Sequence, residues 1–203
     1  MQHFVFCIII GLTFLTSCSS LEEEPDYYNL PTYTETGINM IVEIPAGTNR
    51  KFEYDDSAND FTIEEINGKP RVVNFLPYPG NYGFIPSTFM DEQRGGDGDP
   101  LDVILMCASL PTGSVVSIKP IGMLELIDRG ELDTKLIAIP ADTSLQVIQP
   151  EDFQDFIIKY DGARNIIETW FMQYKGVGQT KMKSWQDEKA AMAEIKKWTV
   201  EKK

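Results

Sequence analysis

The run Asp97, Gly98, Asp99, Pro100, Leu101, Asp102 places three carboxylates within six residues, around a glycine and a proline that enforce a tight turn. Carboxylate oxygens are preferred ligands of hard divalent cations, and a cation held there can bridge to a polyanion. Carboxylates held this close also repel one another, so the arrangement is favourable only with cations or protons among them. Taken by itself, the run reads either as a cation site or as an acidic surface turn leading into a strand over residues 101–107. A calcium-binding EF-hand loop counted from Asp97 fails, since Leu101, Asp102 and Ala108 stand where it needs an acid or amide, a glycine and a glutamate. A Walker A loop fails as well: Pro70 follows Gly68 and Lys69, and Ile63 occupies the position of the first glycine. Any phosphate must be held by side chains.

The only histidine, His3, lies in an N-terminal segment that reads as a removable leader. Without it, serine-histidine and cysteine-histidine nucleophile pairs, histidine general bases and the usual zinc sites are excluded. Chemistry then rests on carboxylates, Lys, Arg, Tyr and metal-activated water. The 31 acidic residues outnumber 18 basic ones, giving a formal charge of -13 that repels nucleic acid and anionic membrane surfaces. No nucleic-acid partner is expected. A polyanionic ligand remains possible where cations sit between it and the carboxylates.

Residues 4–15 are apolar apart from Gly11 and Thr13, short for a membrane span and of the right length for a signal-peptide core. They end in Leu15, Thr16, Ser17, Cys18, which resembles the lipobox of bacterial lipoproteins. That resemblance implies cleavage before Cys18, lipidation of its thiol and an exported, membrane-anchored protein, on the periplasmic or cell-surface side. The n-region departs from the pattern in lacking Lys or Arg. The expected organisation is a signal peptide over 1–17, lipidated Cys18 with a flexible acidic tether over 18–36, and one domain over 37–203. Cys7 leaves with the leader and Cys107 sits in an apolar run, so no disulfide is expected.

The elements that must position the acidic run read as short β-type segments over 39–44, 51–55, 61–66, 71–76, 101–107, 114–127 and 135–139, separated by Gly, Pro, Asn and Asp. Their close spacing favours a barrel. Beyond Pro150 the period changes. Ile166, Ile167, Trp170, Phe171 and Tyr174 recur at helical spacing up to Gly176 and Gly178. A last helix is expected from Ser184, with Asp187 as its capping-box partner and a buried stripe of Ala191, Ile195 and Trp198. The fold class is mainly β with flanking α, helices packed on a barrel.

The run DGDPLDV at 97–103 closely resembles the signature D-[SGDN]-D-[PE]-[LIVMF]-D of the family I soluble inorganic pyrophosphatases, bacterial type. Four further pieces are similar to that family in the same order: IVEIPAG with Glu43, Lys51 and Glu53; Tyr78 to Gly83; Asp128 with Asp133 and Lys135; and Tyr174 with Lys175. The intervals from Glu43 to Lys51 and from Arg71 to Tyr78 are each one residue shorter than in the bacterial enzymes, and a lipid anchor is unusual in a family that is mostly cytoplasmic. The resemblance implies a five-stranded OB-like barrel and hydrolysis of pyrophosphate by water activated between several Mg²⁺ ions, with Mn²⁺ a possible substitute. It implies Asp97, Asp102, Asp128 and Asp133 as metal ligands and Asp99 as the group that takes the water's proton. It further implies Lys51, Arg71, Tyr82, Lys135, Tyr174 and Lys175 on the phosphates, Glu43, Glu53 and Tyr78 in support, and a homo-oligomer. Export leaves two alternatives open: a phosphoanhydride hydrolase acting on nucleotides or short polyphosphate, or an inactive lipoprotein that binds metal and pyrophosphate.

Overall fold

The computed structural model describes residues 25–200. The leader over 1–17 with His3 and Cys7, the lipidation site Cys18 and the acidic residues 19–24 lie outside the described residues.

In chain order the strands are β1 (Ile38–Ile44), β2 (Phe52–Asp55), β3 (Asp60–Ile63), β4 (Glu65–Ile66), β5 (Lys69–Pro70), β6 (Asn81–Phe84), β7 (Asp102–Leu105), β8 (Val115–Asp128), β9 (Glu131–Pro140) and β10 (Thr180–Asp187). The helices are α1 (Phe153–Lys159), α2 (Asp161–Gln173) and α3 (Glu188–Trp198). The main sheet runs β1-β6-β7-β9-β8-β10, and a further pairing of β1 with β8 returns the order on itself. Strands β1, β6, β7, β9 and β8 thus form a ring, with the five strands of the OB-like expectation. Closure leaves few open edges for association.

β8 makes closure possible through its length. Val115 to Ile118 pair with β1, whereas Gly122 to Asp128 pair with β10, while β9 runs along most of its other side. Alternate residues of β7 serve two cores, because strand side chains alternate between faces. Val103 and Leu105 join Met40, Val42 and the α3 stripe of Ala191, Ile195 and Trp198. Ile104 joins Tyr82, Ile137 and residues of α1 and α2, among them Phe156, Trp170 and Phe171. Each fully buried side chain of this size contributes about 1.5–3 kcal/mol of transfer free energy.

Several expectations change. Residues 71–76 form no strand; Val72 makes a single bridge to Arg50, and Leu76 is exposed. Pro77 and Pro79 cannot donate to a ladder, and the segment is instead held to α2 by Trp170 Nε1, which donates to Leu76 O at 2.8 Å. The last helix begins at Glu188, not Ser184, because residues 184–187 complete β10; Asp187 caps it by accepting from Ala190 N. Ile166 points to solvent at 61% exposure while Ile167, Trp170 and Phe171 face the core. β5, β6, α1 and the first half of β10 lie outside the segments that the sequence marks as strand or helix. The packed domain also starts before residue 37. Tyr27 is buried against Tyr54 and Phe61, and Thr32 and Ser87 tie residues 28–32 to the loop after β6.

Candidate active site

The floor of the site follows from register. β7 and β9 run parallel with Asp102 opposite Lys135, and Asp133 lies two residues earlier on the same face of β9. Lys135, 4% exposed, pairs with Asp102, contacts Asp133 Oδ1 at 2.5 Å, and donates to the Tyr82 hydroxyl at 3.1 Å. Burial alone would lower the ammonium's pKa, but Asp102, Tyr82 and Asp133 outweigh it and hold the group well above the usual lysine value. It stays charged. Burial also pushes the Tyr82 hydroxyl well up, with the Asp102 charge adding to the shift, so that it remains a neutral donor.

β8 and β9 meet in a two-residue turn at Arg129 and Gly130, both at positive φ, which sets Asp128 across from Glu131. Lys175, just past the end of α2, reaches Asp128 Oδ2 at 2.6 Å. Asp128 Oδ1 is buried without a hydrogen-bond partner. An orphaned carboxylate oxygen of this kind fits a cation ligand, because leaving it desolvated and unpaired costs about 1–3 kcal/mol.

The rim is the acidic turn. Gly98 sits at φ +87°, a conformation that favours glycine, and Asp97 Oδ1 accepts from Asp99 N at 3.1 Å. Desolvation and the charge of Asp102 hold both the Asp97 and Asp99 carboxyls above their ordinary value, and the two repel each other. Among the described residues, no three acidic, histidine or cysteine side chains stand close enough together to hold a metal ion. Lys135 spans Asp102 and Asp133, and Lys175 holds Asp128, because unneutralised carboxylates turn to the nearest ammonium.

A polar cavity of about 280 Å³ opens between floor and rim, with Glu43, Lys51, Glu53, Tyr82, Asp99 and Asp102 in its walls. Glu43 is 7% exposed and accepts from Tyr54 N at 3.0 Å; burial pushes its carboxyl up to about 8. Lys51 pairs with Glu53. Arg71, Tyr174 and Lys175 do not line this cavity: Arg71 pairs with Glu64, Lys175 with Asp128, and Tyr174 stacks flat on Trp170 at 4.4 Å. Tyr78 is buried at 2% exposure between Tyr82 and Trp170, a packing role in keeping with support.

Glu64 escaped the sequence reading. Its carboxylate lies 2.6 Å from Arg71 and 3.8 Å from Lys51, and backbone bonds Glu64 N to Lys51 O and Arg71 N to Glu64 O lock the three together. The Asn67 and Gly68 turn, at positive φ, folds β5 back on β4 and so returns Arg71 to Glu64. That Asn-Gly pair was the available cue.

An inorganic pyrophosphatase family model matches residues 40–203. Among curated relatives, the inorganic pyrophosphatase of Synechocystis sp. is 39% identical over 118 residues, which are 57% of this chain and 64% of that protein, a little under two thirds of its length. That of Saccharolobus solfataricus is 34% identical over 171 residues, 82% of this chain and 92% of that one. Among solved structures, inorganic pyrophosphatase from Thermus thermophilus superposes with a TM-score of 0.70 at 29% identity, covering 85% of this chain and 95% of that one. The type I inorganic pyrophosphatase from Toxoplasma gondii gives 0.77 at 27% identity, covering 86% and 85%.

Proposed function

The chain belongs to the inorganic pyrophosphatase family, and from that premise we propose that it hydrolyses inorganic pyrophosphate to two phosphates in a metal-dependent reaction, with Mg²⁺ as the working ion. The observation that carries this reading is the Lys135 cluster: one buried ammonium joined to Asp102, Asp133 and Tyr82 beneath the cavity that holds Asp99 and Lys51. Phosphoryl transfer to water needs positive charge around the phosphate oxygens, a positioned nucleophile and an acceptor for its proton.

Bound cations would neutralise the carboxylates and make the attacking water more acidic, and Asp97, Asp102, Asp128 and Asp133 would hold them. Asp99 takes the water's proton from the rim, where its raised pKa makes it a better acceptor than an ordinary carboxylate. Lys51, Arg71, Lys135 and Lys175 carry charge to the phosphate oxygens, and Tyr82 and Tyr174 add neutral donors. Each of these four cations already has a carboxylate partner: Glu53, Glu64, Asp102 or Asp128. The substrate therefore replaces one anion with another, which keeps the cations positioned before it arrives. Phosphate release from pyrophosphate by the purified domain should vanish on chelation of divalent ions and return with Mg²⁺; turnover indifferent to chelation would overturn the reading. A parallel assay on tripolyphosphate and ATP decides between pyrophosphate and longer phosphoanhydrides, and tight pyrophosphate binding without turnover would mark the inactive alternative.

The Leu15 to Cys18 tetrapeptide supports a second part of the proposal, that Cys18 carries a lipid and anchors an exported protein at the periplasmic or cell-surface side. Detergent-phase partition of the full chain that persists in Cys18→Ala would sink the anchor. The family resemblance supports a homo-oligomer, and a monomeric mass by light scattering at micromolar concentration would exclude it.

A further inference from the structure

The N-terminal strap supplies a wall of the cavity. A short 3-10 turn over Tyr27–Asn29, capped by Asp26, presents Tyr28 to the cavity beside Glu53 and Asp99. The ring packs edge-on against Tyr54 at 4.8 Å and against Phe84 at 5.0 Å, and its hydroxyl donates to Tyr54 O at 3.3 Å. Its backbone is fixed too, since Tyr28 O accepts from Ser87 N at 2.8 Å. The strap precedes the stretch that matches the family model, which begins at residue 40. Tyr28 is thus a feature of this chain outside that matched stretch.

On its other side Tyr28 borders a shallower basin of about 490 Å³ that holds Asp55 and Asp56. The reaction cavity and this basin share three residues, Tyr28, Glu53 and Tyr54. Tyr54 is buried at 5% exposure, and its hydroxyl donates to Asn59 at 2.6 Å. Glu53 is held by its ion pair with Lys51, so the half-buried Tyr28 ring is the removable part of the partition. A ligand long enough to span the cavity and the basin would meet that ring.

Resting on the pyrophosphatase reading above, we propose that Tyr28 is a specificity-determining residue that confines the cavity to unsubstituted pyrophosphate and bars tripolyphosphate from the neighbouring acidic basin. The basin's carboxylates are suited to the cations that accompany an extra phosphate, so opening the partition offers that phosphate a place.

The test compares kcat/KM for tripolyphosphate, followed as its disappearance, with kcat/KM for pyrophosphate under saturating Mg²⁺. In Tyr28→Ala the ratio of tripolyphosphate to pyrophosphate should rise about tenfold or more, the scale on which a pocket discriminates by size. Tyr28→Phe, which keeps the ring, should hold the ratio within about twofold. Should the alanine variant fail to fold by circular dichroism, Tyr28→Leu, which still fills part of the space against Phe84, decides by the same ratio. A ratio unchanged in the folded small-side-chain variant, or a parent enzyme that uses both substrates equally, overturns the proposal. A parent chain without pyrophosphate turnover overturns the function itself instead.

Discussion

The floor and the rim of the site are both acidic, yet they are built on opposite principles. The floor sits on paired strands: Asp102, Lys135 and Asp133 meet because β7 and β9 run parallel in a fixed register, and Lys135 is nearly sealed from water. The rim sits on a turn, where Asp97 and Asp99 are exposed; the Gly98 geometry, the Asp97 side-chain bond to Asp99 N and two backbone bonds to Met90 set its path, and no sheet pairing holds it. Floor residues therefore carry stability and function together, while rim residues carry function with little stability attached.

The sharpest way to break this comparison is Lys135→Met. Loss of the ammonium leaves Asp102 and Asp133 facing each other, so turnover should fall by about a thousandfold or more. The metal-free fold should lose about 2–4 kcal/mol, below the full penalty for a broken buried pair because Asp102 keeps a quarter of its side-chain surface in water. Phosphate release and denaturant titration measure the two losses, and a variant as stable as the parent would remove the floor's structural role. Asp99→Asn is the contrasting case at the rim. Turnover should drop about 100- to 1,000-fold while stability changes by less than about 0.5 kcal/mol. Unaffected turnover would remove Asp99 as the proton acceptor.

Magnesium should act on both regions at once. At about 100 times its dissociation constant it stabilises the fold by about 2.7 kcal/mol, or about 5–10 °C in Tm for a domain of this size. Asp128→Asn, which alters the carboxylate with the orphaned oxygen, should reduce that increment; a melting temperature indifferent to Mg²⁺ would count against the ligand set. A further effect, confined to the metal-free protein, concerns Glu43 in the wall between floor and rim. Its folded pKa of about 8 exceeds the ordinary 4.5, so across that window the folded state holds a proton the unfolded chain has released. Metal-free stability should fall as pH rises from 4.5 through 8, and Glu43→Gln should flatten that decline, read as a weaker dependence of Tm on pH. An identical slope in the variant would show that other groups set it.

Legibility along the chain tracks how much of an element's pattern is local. β1, β7, β8 and β9 stand out because their β-rich runs are bounded by turn residues. β10 escaped notice because Lys181, Lys183, Ser184 and Gln186 give it a polar composition, and it becomes a strand only by pairing with β8. The extended-looking 71–76 segment went the other way, since its one bridge, Arg50 to Val72, is not extended into a ladder and Pro77 and Pro79, just beyond it, favour an irregular path. Among site residues, Asp97, Asp99 and Asp102 lie close enough in sequence to be seen together, and the ordered family pattern extended the set to Lys175. Glu64 and Tyr28 had no such pattern.

The sequence by itself determined the chemical repertoire: carboxylates, lysines and tyrosines with no histidine beyond His3, a turn that concentrates acid, and β-rich runs of barrel length. Only the tertiary structure decided which of these charges face one another. Pairing across β7 and β9, the hairpin that returns Arg71 to Glu64, and the strap that brings Tyr28 to the cavity join residues 33, 7 and 25 or more positions apart. Local composition carries no record of such partners, because Coulomb and hydrogen-bond energies depend on distances that strand register and loop closure alone set.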